Sequence, residues 1–339
     1  MEINYPILGI DVSKATLDLC LLTGPDQRTP LRVANTATGY KRLWQWLQKQ
    51  TTAPVTACLE ATNVYSAGIA LFLYQQGATV CLANPAAVHS YMGAELRRAK
   101  TDKADAISIA EFAGAMARKL RPWQPLPADY ETLRDLVRHL HTLTRNRASI
   151  KNQLEKTHYL SSAAKQHILR SHKADLAHYD KQIRAVKKEI QATLKTSVPM
   201  TQRFERLTTP PGIGEITALT YMAEIPDVRQ FPKGKHLTSF AGITPRIRHS
   251  GKRKPESQPI SKMGSGRLRQ ALYMASLSAK QYNPSIALFA QRLQNEGKKP
   301  KVVNIAVGRK LLLQLYAIDK NHTTYDPNYH ILHLASGTN

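Results

Sequence analysis

The first hundred residues alternate between short apolar runs and amphipathic stretches, a pattern that predicts an α/β domain. Ile7-Leu8-Gly9-Ile10-Asp11-Val12 is a compact apolar run with an acid inside it. After the polar turn at Ser13-Lys14, Leu17, Leu19 and Leu21 alternate with Asp18 and Cys20, predicting a half-buried strand. Leu31-Arg32-Val33-Ala34 completes an antiparallel meander. Residues 38–50, with Tyr40, Leu43, Trp44 and Leu47, fit an amphipathic helix. A strand from Val55 ends at Glu60, a helix follows near 66–76, and a strand at Thr79–Ala83 stops at Asn84-Pro85. From Thr101 to Arg118 the pattern is helical again, with Asp102 at its start.

The Pro-rich stretch from Arg121 to Pro127 marks a boundary. Beyond it Leu133, Leu136, Leu140, Leu143, Ile150 and Leu154 step by three and four, as do Leu176, Tyr179, Ile183, Val186 and Ile190. Two long helices with a polar link around Ser161–Lys173 predict an antiparallel coiled coil, read as an assembly element rather than a catalytic one. Val198-Pro199 closes this hairpin, and Pro211-Gly212-Ile213-Gly214 then precedes a helical run from Glu215 to Ala223. Such a turn offers backbone N–H groups at a helix start, making Gly212 and Gly214 candidates for phosphate contact. The remainder reads as mainly helical with a basic loop in its midst. The organisation expected is thus residues 1–125, a helical hairpin at 126–197, and a helical region at 198–339.

Charge sharpens this picture. The 339 residues hold 48 Lys+Arg against 24 Asp+Glu, a net +24, which points to a polyanionic partner, nucleic acid first. The balance is uneven: residues 1–125 are almost neutral at net +4, and residues 126–339 carry net +20. No run of about eighteen apolar residues and no secretory pattern appear, so a cytoplasmic protein with no membrane partner is expected. Cys20, Cys58 and Cys81 lie in apolar runs without paired spacing and read as buried thiols.

Four acids stand out by position. Asp11 interrupts an apolar strand, where an ionised carboxylate is costly unless compensated. Glu60 ends a later strand, and Asp102 and Asp105 share one face of a helix start. In a ribonuclease-H-like sheet the first strand lies beside a later parallel one and a helix packs across both. The four acids would then converge on one or two Mg²⁺ ions, hard cations suited to oxygen ligands and to in-line phosphoryl displacement. The plainer alternatives are helix caps at Glu60 and Asp102 and a solvated Asp105. Across residues 246–270 eight basic residues accompany one acid, and Ser250-Gly251 sits among Arg246, Arg248, Lys252, Arg253 and Lys254. These cations could hold a scissile phosphate near the Ser250 hydroxyl, although such a loop is commonly a backbone-binding surface only.

Several motifs occur together in order: Gly9-Ile10-Asp11-Val12-Ser13-Lys14, Leu59-Glu60-Ala61-Thr62, Asn84-Pro85, Lys100-Thr101-Asp102-Lys103-Ala104-Asp105, Pro211-Gly212-Ile213-Gly214, Phe240-Ala241-Gly242-Ile243-Thr244-Pro245, Ser250-Gly251 and Leu268-Arg269-Gln270-Ala271-Leu272. Jointly they resemble the DEDD-type insertion-sequence transposases related to the Piv DNA invertase, the insertion-sequence family numbered one hundred and ten, known as bridge-RNA-guided recombinases. The resemblance implies a RuvC-like ribonuclease-H-fold domain, a coiled-coil insertion and a C-terminal transposase domain. It implies that Asp11, Glu60, Asp102 and Asp105 bind Mg²⁺ and that Ser250 is the nucleophile, preferred over Ser257, Ser261 and Ser265 by its neighbours. It further implies target and donor duplex DNA, a structured guide RNA and a dimer of dimers as partners, in a bacterial or archaeal, nucleoid-associated setting. Three rivals stay open: a Holliday-junction-type metal nuclease with water as nucleophile, an actin-like ATPase or sugar kinase suggested by Gly9–Ser13, and a non-catalytic nucleic-acid scaffold.

Overall fold

The structure, a computed structural model, describes residues 6–60, 64–94, 102–245 and 259–328. It divides into two compact units, Met1–Pro125 and Leu126–Asn339. Among the described residues there are twelve α-helices and one five-stranded sheet, so the chain is mixed α/β and mostly helical.

The first unit is built on strands β1 (Ile7–Val12), β2 (Thr16–Leu22), β3 (Arg28–Ala34), β4 (Thr56–Glu60) and β5 (Thr79–Ala83), in the order β3-β2-β1-β4-β5. The first three form the antiparallel meander, whereas β1–β4 and β4–β5 are parallel. This arrangement is consistent with a ribonuclease-H-like domain. One face, with Leu8, Ile10, Leu17, Leu19, Leu21 and Leu59, is covered by α1 (Ala37–Gln50) through Leu43 and Leu47 and by α2 (Ala67–Gln75) through Ile69 and Leu73. The opposite face, with Ile7, Cys20, Leu22, Cys58, Cys81 and Ala83, packs on α3 (Pro85–Ala94) and α4 (Asp102–Ala115) through Val88, Ile109, Ala110 and Ala113. All three cysteines are buried and free.

Two expectations need correction here. Strand β2 is not half-buried: from Leu17 to Leu22 every residue is buried, because helices cover both faces of the sheet. Asn84-Pro85 does more than stop β5, since Pro85 opens α3, where its fixed φ and missing N–H cost nothing. The Pro-rich boundary also has a structural use. The Trp123 N–H donates to the Val80 carbonyl at 2.7 Å and Pro122 bridges Cys81, so this stretch lies against the edge strand β5.

In the second unit α5 (Ala128–Thr157) and α6 (Lys165–Lys195) are long helices packed on each other. Leu133, Val137 and Leu140 meet Ile190 and Leu194 in the core, and further along Arg147 pairs with Asp180, so α6 runs back along α5. The link is shorter than expected, because Lys165–Lys173 are already helical and Leu169 is buried. Val198-Pro199 does not merely end the hairpin but starts α7 (Val198–Thr208), with Pro199 in the first turn. The helices α8 (Glu215–Glu224), α9 (Gly234–Phe240), α10 (Gly266–Tyr282), α11 (Pro284–Asn295) and α12 (Pro300–Asn321) complete one core around Tyr221, Leu272 and Leu311. No described helix is long and apolar enough to cross a membrane.

At the side of this core Arg203 of α7 is buried against Asp319 of α12. Its Nε donates to Oδ1 at 2.8 Å and Nη2 to Oδ2 at 2.6 Å, a bidentate pair. The remaining capacity goes to the carbonyls of Ile225 and Pro226, each at 2.7 Å, and to the Tyr130 hydroxyl at 3.3 Å. One guanidinium therefore joins α5, α7, the exit of α8 and α12. Removing the carboxylate leaves a buried cation without its counter-charge, so Asp319→Ala is expected to cost the second unit about 3–5 kcal/mol. Urea unfolding followed by circular dichroism checks this, with Asp319→Asn falling between variant and wild type.

Candidate active site

Asp11 and Glu60 are placed by strand register. Strands β1 and β4 pair in parallel up to Ile10 opposite Leu59, so the next residues, Asp11 and Glu60, leave adjacent strands side by side. Ile10 and Leu59 belong to one face of the sheet, and by alternation Asp11 and Glu60 belong to the other, the face covered by α4. The charge of Glu60 is felt there: the Cys58 thiol is pushed up to about 12 by burial, then by Cys81 and by Glu60.

Helix α4 brings its own acids to the same end. The contact is close because residue 9 is glycine; a Cβ at Gly9 would lie 2.3 Å from the Ala106 carbonyl oxygen and 2.5 Å from the Ala110 nitrogen. Direction follows from an ion pair. Arg28 stands opposite Leu22, which stands opposite Ile7, and Arg28 reaches Glu111 at 2.8 Å. The later turns of α4 thus lie over the start of β1, and its first turn lies toward Asp11. Asp105 is half-buried there, and its Oδ1 is a buried acceptor with no hydrogen-bond partner among the described residues. Asp102 opens α4, while its side chain lies outside the described residues.

Among the described residues, no group of three or more His, Cys, Asp or Glu side chains is gathered in a metal-holding arrangement. The donor chemistry nevertheless suits a hard divalent cation. Asp11, Glu60 and Asp105 bring carboxylate oxygens, and the buried Asp105 Oδ1, unpaired among the described residues, is a costly feature that a cation would relieve.

Two supporting features were not read from the sequence. Asp18 on β2 stands directly opposite Asp11 and is buried, while Arg32 on β3, opposite Asp18 in turn, approaches its carboxylate at 3.5 Å. Acid, acid and arginine therefore form a row across three strands. The signal was available: residues 11 and 18 are symmetric about the tight turn between β1 and β2. The second feature is Asn35, whose side-chain amide donates to the Ser13 carbonyl at 2.9 Å and to the Tyr65 carbonyl at 3.2 Å. Its Oδ1 accepts from the Tyr40 hydroxyl. The segment after Asp11 is thereby tied to the 3-10 turn Val64–Ser66 that follows β4. Nothing in a linear pattern distinguishes such an asparagine.

The other expected site residues are placed differently. Gly212 has a φ of +94°, and a Cβ there would meet Ala279 of α10 at 2.5 Å, so glycine serves both the turn and the packing. Gly214 is the N-cap of α8 and has open space around it, although Glu215 puts an acid in the first turn. Ser250 and the cations Arg246, Arg248, Lys252, Arg253 and Lys254 lie outside the described residues. The segment holding them is flanked by Pro245 and Ile260, which form an antiparallel bridge.

Comparison with known proteins supplies the remaining evidence. Residues 8–160 match the DEDD transposase family of IS110, described as "Transposase", and residues 204–291 match the "Transposase IS116/IS110/IS902 family". The chain belongs to the IS110 family of transposases. Two further similarities extend over nearly the whole length. The "Pilin gene-inverting protein" of Moraxella lacunata is 29% identical over 95% of this chain and 98% of its own length, and its Moraxella bovis counterpart shows the same figures. The "Transposase for insertion sequence element IS1111A" of Coxiella burnetii is 33% identical over 29% of this chain and 26% of its own. The first family match spans the sheet and α4, the very elements that position Asp11, Glu60 and Asp105. A recombining, DNA-acting enzyme is thus the family's assignment, and its DEDD domain suggests use of a divalent metal.

The Gly9 contact gives a direct test. Gly9→Ala is expected to push α4 off β1 and destabilise the first unit by about 1–3 kcal/mol. Gly93→Ala, in a helix with open space around it, should not lower stability. Denaturant midpoints of the two variants check the pair, with hydrogen exchange in α4 reporting where Gly9→Ala acts.

Proposed function

We propose that this transposase cuts and rejoins DNA with a serine nucleophile, Ser250, working together with a divalent-metal site formed by Asp11, Glu60, Asp102 and Asp105. What supports the metal half is that Asp11 and Glu60 follow one register pair on adjacent parallel strands, and that Asp105, in the first turn of α4, has a buried Oδ1 with no hydrogen-bond partner among the described residues. Mg²⁺ held there would neutralise charge on the transferring phosphate. The serine half rests on the family pattern around Ser250-Gly251, and the similarity to pilin gene-inverting proteins supports strand exchange rather than simple cleavage.

In this reading the Ser250 Oγ attacks a backbone phosphorus and its proton passes to solvent. A serine O–P bond forms as one P–O bond to deoxyribose breaks, and the freed sugar hydroxyl is the leaving group. Attack by a hydroxyl of the exchanged strand reverses these changes and releases the serine. The number of phosphoester bonds is conserved, so no nucleotide triphosphate is consumed. Arg246, Arg248, Lys252, Arg253 and Lys254 would hold the phosphate, with Gly212 and Gly214 as backbone contacts. Residues 1–125 supply the acids, residues 126–197 a coiled-coil assembly element, and residues 198–339 the serine. A structured guide RNA pairing with target and donor duplexes, a dimer of dimers, composite sites between subunits and a cytoplasmic setting follow from the family resemblance, and the net +24 supports the polyanionic partners.

Formation of the excised circular DNA junction in cells carrying the gene with its flanking DNA tests the mechanism. Ser250→Ala and Asp11→Ala should each reduce the junction by about 10³-fold or more while the proteins stay folded. Activity retained by Ser250→Ala and lost in Asp11→Ala would instead assign the attack to water, or to another serine.

A further inference from the structure

Glu224, the last residue of α8, is a buried acid whose partners have an unusual geometry. Its side chain is 7% exposed, and its Oε1 accepts from Arg138 Nε of α5 at 3.2 Å and from Arg267 Nε of α10 at 2.8 Å. Burial opposes its ionisation, but the Arg267 hydrogen bond, the charges of Arg138 and Arg267 and a hydrogen bond with Ser265 hold its carboxyl below the usual range. A carboxylate that served only to neutralise an arginine would be expected to meet the fork of Nε and Nη, as Asp319 meets Arg203. Here both guanidiniums give Glu224 their Nε alone. Among the described residues, no hydrogen-bond partner takes any of the four terminal nitrogens, and the two side chains are 43% and 42% exposed.

These arginines open into a cavity of about 290 Å³ that is also lined by His141, Thr142, Arg145 and Gln270. Arg145 is exposed and has no acid partner among the described residues. The His141 Nε2 is engaged with the Thr220 hydroxyl at 2.8 Å, and burial together with the Arg267 charge lowers its pKa. Three guanidiniums over one carboxylate leave the cavity cationic, with planar donor forks held in place from beneath. That is a receptor for a tetrahedral oxyanion with two accessible oxygens.

We propose that Arg138, Arg267 and Arg145 cradle one phosphodiester of a polynucleotide backbone, with Glu224 as the positioning residue that aims the first two. The inference rests on the nucleic-acid reading given above. It adds a site that is separate in sequence from the Ser250 loop and belongs wholly to the second unit, whose sequence region 126–339 carries net +20. Duplex DNA and structured RNA share the recognised group, so the test separates them.

Binding of the full-length protein to a fluorescent 30-base-pair DNA duplex and to an RNA hairpin would be measured by anisotropy across a salt series. A diffuse basic surface predicts that Glu224→Gln, which removes a negative charge, binds more tightly, and that Arg138→Lys with Arg267→Lys changes nothing. The cradle predicts the reverse: both variants weaken binding to at least one probe by about tenfold. Arg138→Ala with Arg267→Ala should also lower the salt slope on that probe by about one. Should Glu224→Gln fail to fold, as its melting curve would reveal, the charge-conserving lysine pair decides alone. Unchanged affinity of the lysine pair for both probes overturns the cradle while leaving the transposase reading intact. A wild type that binds neither probe overturns both.

Discussion

Position 9 has no side chain, and the acidic end of the first unit depends on that absence. A helix resting on a sheet ordinarily stands off by the thickness of the side chains between them. Gly9 lets the backbone of α4 at Ala106 and Ala110 settle onto β1, where even a methyl group would overlap both. The helix residues at this contact, Ala106 and Ala110, are themselves small, while larger side chains such as Ile7, Leu22, Ile109 and Phe112 fill the same layer around it. The approach fixes how far the first turn of α4 lies from the ends of β1 and β4. Because that turn carries Asp105, while Asp11 is the penultimate residue of β1 and Glu60 the last of β4, a packing constraint becomes an electrostatic one. Like charges brought to one end of a sheet repel, and they persist only where something compensates them. Asp18 has part of that compensation in Arg32, within the row that also contains Asp11.

The second unit handles charge by a different arrangement. Its buried ions are tied to arginines that bridge helices distant in sequence, as Arg203 links α7 to α12 and Glu224 links α8 to α5 and α10. Such bridges fix relative helix position, since moving any one helix leaves a charge unpaired in a low-dielectric setting. The apolar core around Tyr221 supplies most of the burial but is less selective about register. A strongly cationic region thereby retains a defined framework, with the buried acids Glu224 and Asp319 placed at helix junctions while others, such as Glu131, Asp135 and Glu296, pair with arginines at the surface.

How much was legible from the sequence follows from the range of the forces involved. The five strands and the helices at 37–50, 67–75 and 102–115 were readable because period and punctuation are local. Asp11 was conspicuous as an acid inside an apolar run, and its neighbourhood to Glu60 followed from assuming one parallel pairing. What escaped depended on distant partners. β2 looked half-buried because alternation of Leu17, Leu19 and Leu21 with Asp18 and Cys20 is the same whether or not a helix covers the second face. Pro85 and Pro199 looked like terminators because proline marks both ends of structure, and only the following residues show that each opens a helix. Asn35, Arg203 and Glu224 carry no signal of their own, since an asparagine clamp or a buried arginine is defined by groups far away in the chain.

The fates of the acids separate structural roles from chemical ones. Asp319 has both carboxylate oxygens bonded by one guanidinium and is buried, so its charge is already matched within the fold. Glu224 is satisfied too, but in a manner that leaves its arginines unfinished, so the unspent hydrogen-bonding capacity is cationic and faces a cavity. Asp105 is the converse, a carboxylate whose Oδ1 is buried without a hydrogen-bond partner among the described residues, although arginines abound in the chain. A buried acceptor such as the Asp105 Oδ1 is costly to leave unpaired, whereas the part-exposed terminal nitrogens of Arg138 and Arg267 can be hydrated until an anion arrives. Asp105 in the nearly neutral unit is an acceptor that a cation would satisfy, and Arg138 and Arg267 in the basic unit are donors that an anion would satisfy. A metal ion and a nucleic-acid phosphate are the two charges that phosphoryl transfer on DNA brings together.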